Sequence, residues 1–134
     1  MMNKSSFSVR VSATTLTYGC YAQMFWGCTS LTTAPELPAM TLATYCYAMM
    51  FRNCSSLATA PVLSAPILTY CCYDGMFNGC KKISEVTCLA TDISAEKCLY
   101  QWLVQAASKG TIYVAKGMKD KWTAPSRWSI AEIE

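Results

Sequence analysis

The sequence contains no histidine. That absence removes Cys-His nucleophilic catalysis, Ser-His-Asp sets and mixed Cys/His zinc sites. Charge is also scarce: Asp, Glu, Lys and Arg make up 14% of the 134 residues, well below the usual quarter. The net charge of +3 is mild, and the basic residues form no run beyond Lys81-Lys82 and the spaced Lys116, Lys119 and Lys121. This reads as a solvated face, so no nucleic-acid partner is expected. No apolar run approaches the ~18–20 residues that span a bilayer. The first ten residues hold no apolar segment of signal-peptide length. That leaves three options open: a signal already removed, a domain carried within a larger protein, or a chain kept inside the cell.

The acidic residues offer no paired general acids. Glu36 and Asp74 are isolated, and Glu85, Asp92 and Glu96 fall on loops or exposed turns, so all five read as solvated surface. No glycine-rich phosphate loop or calcium loop occurs. The expectation is a non-enzymatic protein with no cofactor and no metal.

What the chain does have is a period. Cys20-Tyr21-Ala22-Gln23-Met24-Phe25-Trp26-Gly27-Cys28 returns 26 residues later as Cys46-Tyr47-Ala48-Met49-Met50-Phe51-Arg52-Asn53-Cys54. A further 26 residues on it is Cys72-Tyr73-Asp74-Gly75-Met76-Phe77-Asn78-Gly79-Cys80, with no insertion or deletion. A fixed period of this length is the signature of a solenoid. A fourth, degenerate copy keeps the register, with Cys98, Trp102, Leu103 and Ala106 at the Cys, Met, Phe and second Cys positions.

Each repeat divides in two. Leu16, Cys20, Tyr21, Met24, Phe25 and Cys28 are spaced by 4, 1, 3, 1 and 3, which predicts a short amphipathic helix. Gly27, Asn53 and Gly79 stand where such a helix ends in the left-handed conformation. The helix of the fourth copy is expected over about residues 94–108. The other half of each repeat is extended, as in Leu31 to Pro38, Leu57 to Leu63 and Ile83 to Leu89. Pro35 and Pro61 each remove a ladder donor, so the sheet should be better formed toward the C-terminus.

The expected fold is therefore α/β: a right-handed solenoid of about four 26-residue coils, each with a short helix and a strand of a short parallel sheet. It fills a single domain over residues 1–134. An alternating Phe7, Val9, Val11 stretch predicts an N-terminal cap strand within residues 1–15, the repeats fill 16–115, and a Trp122- and Trp128-bearing cap closes 116–134. Residues 1–80 hold five charges and residues 81–134 hold fourteen, which suits an uncharged body with a solvated terminal cap.

Nine cysteines suggest chemistry at first sight. Seven of them form two ladders (Cys20, Cys46, Cys72, Cys98 and Cys28, Cys54, Cys80) on the same stripe as Met and Phe. They read as small buried hydrophobes. Rung-to-rung disulfides remain open in an oxidising compartment. Cys71 stands where Gly19 and Tyr45 stand and reads as incidental. Met24, Met50 and Met76 with Phe25, Phe51 and Phe77 read as core ladders. The positions that vary between copies are the candidates for contact: Trp26, Arg52 and Asn78 in one row, Gln23, Met49 and Gly75 in another, and Tyr113 on the strand half. Trp26, Met49, Arg52 and Tyr113 are the candidate binding residues.

The run Met24-Phe25-Trp26-Gly27-Cys28-Thr29-Ser30-Leu31 and its two copies, within Cys-Tyr-x-x-Met-Phe-x-Gly-Cys-x-x-Leu, resembles the BspA-like leucine-rich repeats over residues ~16–115. Many members carry Ala-Phe in a slightly shorter repeat. The Met-Phe-x-Gly-Cys form is similar to the variant of surface and secreted proteins of gut anaerobic bacteria, and the ending from Trp102 through Gly110 to Pro125 and Trp128 resembles that variant's ending. Such proteins usually have more repeats and an export signal, neither of which is seen here. The resemblance implies a leucine-rich-repeat-like solenoid at the cell surface or secreted, binding a host or bacterial surface protein or glycan. It implies no catalytic residues. A structural or assembly domain of a larger particle is the alternative.

Overall fold

The structure is a computed structural model that describes residues 11–134. The Phe7–Val9 part of the expected cap strand lies outside the described residues. The regular sheet has three strands, β1 (Glu85–Cys88), β2 (Gly110–Val114) and β3 (Trp128–Glu132), in the order β1-β2-β3. Both pairings are parallel: Val86 lies opposite Ile112, and Ile112 opposite Ile130. Earlier in the chain the extended halves meet only at single bridges, Thr33 with Thr59 and Leu63 with Cys88. Continuous pairing thus begins beyond Pro61, where Thr87 and Tyr113 restore the donor that proline lacks.

The short helices expected in each repeat do not form. Among the described residues the single helical turn is a 3-10 turn at Lys119–Lys121. Residues 17–28, 43–54, 69–80 and 95–106, the last lying within the helix expected over 94–108, are instead chains of turns. The reason lies in the backbone. Every fourth residue is left-handed: Gly19, Gln23 and Gly27, then Tyr45, Met49 and Asn53, then Cys71, Gly75 and Gly79, then Lys97, Gln101 and Gln105. A left-handed residue in each turn prevents the i→i−4 ladder of an α-helix.

The backbone donors divide in two as a result. Even-numbered N–H groups turn back three residues, as Cys46 does to the Ala43 carbonyl and Met50 to Tyr47. Odd-numbered ones cross to the next copy. Gly19, Tyr21, Gln23, Phe25 and Gly27 donate to the carbonyls of Thr44, Cys46, Ala48, Met50 and Arg52 at 2.8–3.0 Å. Residues 45–53 repeat the pattern on 70–78, and 71–79 on 96–104. Half of each turn segment's hydrogen bonding is local and half joins neighbours, which satisfies donors that an isolated short helix would leave unsupported.

Between the turn segments and the extended halves runs one hydrophobic core, from Val11 to Trp128. Phe25, Phe51 and Phe77 stack almost parallel with centroids 5.5 and 5.9 Å apart, and Tyr21, Tyr47 and Tyr73 stack at 6.0 and 6.1 Å. Trp102 continues the Phe row, and Trp122 packs on Trp102 at 6.0 Å. Trp128 is held by its indole N–H, which donates to the Ala107 carbonyl at 2.9 Å. Eight of the nine cysteines are buried; Cys20 is exposed. Met24 is also exposed, whereas Met50 and Met76 are fully buried. Among the described residues no earlier copy covers the Cys and Met positions of the first one, as the first covers those of the second.

Candidate functional site

The turn geometry decides which side chains face outward. Phe25 and Phe51 point into the core, and the left-handed Gly27 and Asn53 follow two residues later. The residues between them, Trp26 and Arg52, are turned away from the core, 42% exposed and half-buried respectively. The Gly27 N–H bonds the Arg52 carbonyl at 2.8 Å, which fixes the two copies in register. The 26-residue spacing therefore becomes a contact: the Arg52 guanidinium lies 5.0 Å from the centre of the Trp26 ring, a cation–π arrangement.

Met49 joins this pair. Its left-handed backbone donates to the Asp74 carbonyl at 2.7 Å, and its thioether sulfur sits 3.7 Å from Arg52 Nη1. Gly75, one copy on, provides the room: a Cβ there would come within 3.0 Å of Met49 Cγ. Met49 is half-buried as a flank of the cluster, not the exposed contact residue the sequence suggested. Asp74 is half-buried too, so it is not the solvated carboxylate expected. Burial raises its carboxyl above the ordinary range, and the charges of Lys97 and Arg52 and a hydrogen bond with Cys71 oppose that rise. Tyr113 stands apart on β2, half-buried, opposite Thr87 and Ala131. Of the four candidate residues, three come together and one does not.

A row of tyrosines escaped the sequence reading. Tyr18, Tyr45 and Tyr70 lie with successive ring centroids 5.5 Å apart, and Tyr18 is 72% exposed. Their spacing is 27 and then 25 residues, so a strict 26-residue comparison puts Tyr18 and Tyr70 in one row, with Thr44 between them, and leaves Tyr45 in the next. Hydrogen bonding to Cys71 and Tyr70 pushes the Tyr45 hydroxyl well above the usual phenol range. Cys71, read as incidental, is buried against this row.

The strand half carries a cleft of about 450 Å³ between Pro35, Glu36 and Leu37 on one side and Pro61, Val62 and Ser64 on the other. It opens where the two prolines interrupt strand pairing.

The cysteine thiols have roles in the scaffold. Cys54 and Cys80 each donate to a phenylalanine carbonyl of the preceding copy, Phe25 and Phe51, at 3.0 Å. Burial pushes Cys46 and Cys54 up to about 11 and Cys72, Cys80 and Cys88 up to about 12. These thiols stay protonated near neutral pH, which makes them weak nucleophiles. All nine cysteines are unpaired. Among the described residues, no group of three or more Cys, Asp or Glu side chains is placed to hold a metal ion, and no helix is long and apolar enough to cross a membrane.

Neither a protein-family model, nor a curated protein sequence, nor a solved structure matches the chain.

Proposed function

We propose that the chain is a right-handed solenoid of about four coils that serves as a non-enzymatic binding or adhesion module of a bacterial cell-surface or secreted protein. The observation that carries the reading is the convergence of Trp26, Arg52 and Met49. The positions that vary between otherwise uniform copies meet as one partly exposed aromatic–cationic cluster. Repeat arrays present such positions as a continuous surface, and Trp and Arg dominate recognition hot spots. The coil reading is supported by the backbone bonds that join segments 17–28, 43–54, 69–80 and 95–106 in one uniform pattern. The ligand class is a host or bacterial surface glycan or protein.

The test is retention of the intact chain on a mucin-coated surface. Trp26→Ala is expected to reduce retention by about tenfold or more, the scale of a hot-spot truncation. Tyr113→Ala, away from the cluster, is expected to change it little. Equal retention of wild type and Trp26→Ala would remove this surface from the account. Among the described residues β3 is an outer strand of the sheet with no further strand paired to it, which favours a second reading, an assembly domain in a larger particle. Concentration-dependent self-association in light scattering, with no mucin retention, would favour that one.

A further inference from the structure

Arg52 is the only cation between Arg10 and Lys81, and the fold holds it half-buried. A guanidinium drawn partly out of water loses hydration that acceptors or an anion must replace. Little replaces it here. Nε is buried with no hydrogen-bond partner among the described residues. Among the described residues Nη1 reaches only the weak thioether acceptor of Met49. Asp74 lies close enough for its carboxyl to sense Arg52, yet no ion pair forms between them among the described residues.

The surroundings do fix the group's position. The Trp26 face on one side and the Met49 sulfur on another hold the planar fork, so less freedom is lost when it pairs with a carboxylate. Trp26 adds exposed ring surface. Asn78, one copy further along the same row, is buried and so closes the row on that side. Gln23 and Asn53, both exposed and uncharged, flank the cluster.

We propose that Trp26 and Arg52 form a binding site for acidic saccharides, with a sugar carboxylate on the Arg52 guanidinium and a sugar ring against Trp26. One cation among neutral amides matches a ligand with one charge per sugar ring. An acidic peptide or a polysulfated chain would draw on several cations; residues 11–80 contain only Arg52, and Lys97 is the one further cation that Asp74 senses. The inference rests on the reading of this surface as a binding module and names its ligand class.

The experiment titrates the full chain with methyl glucuronide and, in parallel, with the neutral methyl glucoside, followed by ligand-observed NMR. Binding of the glucuronide at least tenfold tighter than the glucoside is expected. Arg52→Gln is expected to weaken the glucuronide at least tenfold, Arg52→Lys to restore only part of it, and Arg127→Gln in the exposed tail to leave it unchanged. A thermal melt of each variant separates lost binding from lost folding. Equal affinity for the two sugars, full binding by a folded Arg52→Gln, or tighter binding of polyglutamate than of the glucuronide overturns the proposal. If the glucuronide fails to bind while mucin retention still depends on Trp26, the ligand class is wrong and the binding module stands. Loss of both removes the module as well.

Discussion

Phe51→Ala is expected to destabilise the folded chain by about 3–5 kcal/mol, the range for truncating a fully buried phenylalanine. The side chain is fully buried and stacks on two rings, Phe25 at 5.5 Å and Phe77 at 5.9 Å, both within 2° of parallel. Removing it deletes two aromatic contacts and leaves a cavity in the middle of the row, where neither neighbour can close the gap without leaving its own backbone register. That register is fixed because Phe25 and Phe51 each donate an N–H to the next copy, to Met50 and Met76. Domains of this size have about 5–15 kcal/mol of stability in total, so the loss takes a large fraction of it. Urea unfolding monitored by far-UV circular dichroism measures the change. Phe51→Leu, which keeps most of the volume, is expected to cost much less. A loss under about 1 kcal/mol for Phe51→Ala would show that the stacked row is not the core.

The second large effect is at a glycine. Gly79→Ala is expected to cost about 2–5 kcal/mol, whereas Gly27→Ala at the same repeat position costs about 1–2 kcal/mol. Both glycines are left-handed, with φ of +83° and +75°, so both variants carry the strain of a Cβ in that region. Only Gly79 has a neighbour in the way. A Cβ there would collide with the Asn53 side-chain oxygen and lie 3.3 Å from the Asn53 Cα. The backbone of Asn53 is held by its bond to the Asn78 carbonyl at 2.8 Å, so it cannot retreat easily. Among the described residues nothing approaches a Cβ at Gly27 within 4 Å. Adding Asn53→Gly to Gly79→Ala removes the colliding oxygen, and the double variant is expected to regain part of the difference. Equal costs at the two glycines would mean that neighbouring copies are not in close contact here.

Several features could be read from the chain because identical residues one period apart have to lie on one another. The Phe25, Phe51, Phe77 and Tyr21, Tyr47, Tyr73 rows, the buried Cys ladders and the C-terminal placement of paired strands all follow from that logic. The meeting of Trp26 and Arg52 follows too, since two residues at one repeat position become neighbours. The local conformation was not legible. A side chain that returns every fourth residue mimics an α-helical stripe, because an α-helix drifts only about 40° in four residues. Over a dozen residues the two patterns coincide. The distinguishing sign is the left-handed position itself, and glycine fills only some of those sites. Gln23, Met49, Cys71 and Gln101 adopt the same conformation with ordinary side chains, so composition hides it. The tyrosine row was lost for a simpler reason. Its members come from two adjacent repeat positions, and Tyr45 reaches sideways to bridge Tyr18 and Tyr70.

The account depends most on the claim that backbone donors cross between copies instead of closing helical turns. Scalar coupling transmitted through hydrogen bonds, recorded by NMR on the isotope-labelled full chain, reads each donor–acceptor pair directly. The Phe51 amide nitrogen is expected to couple to the Met76 carbonyl, and the Tyr73 nitrogen to the Cys98 carbonyl, following bonds of 3.0 Å in each case. A coupling from the Phe51 nitrogen to the Tyr47 carbonyl, four residues back as in an α-helix, would contradict it.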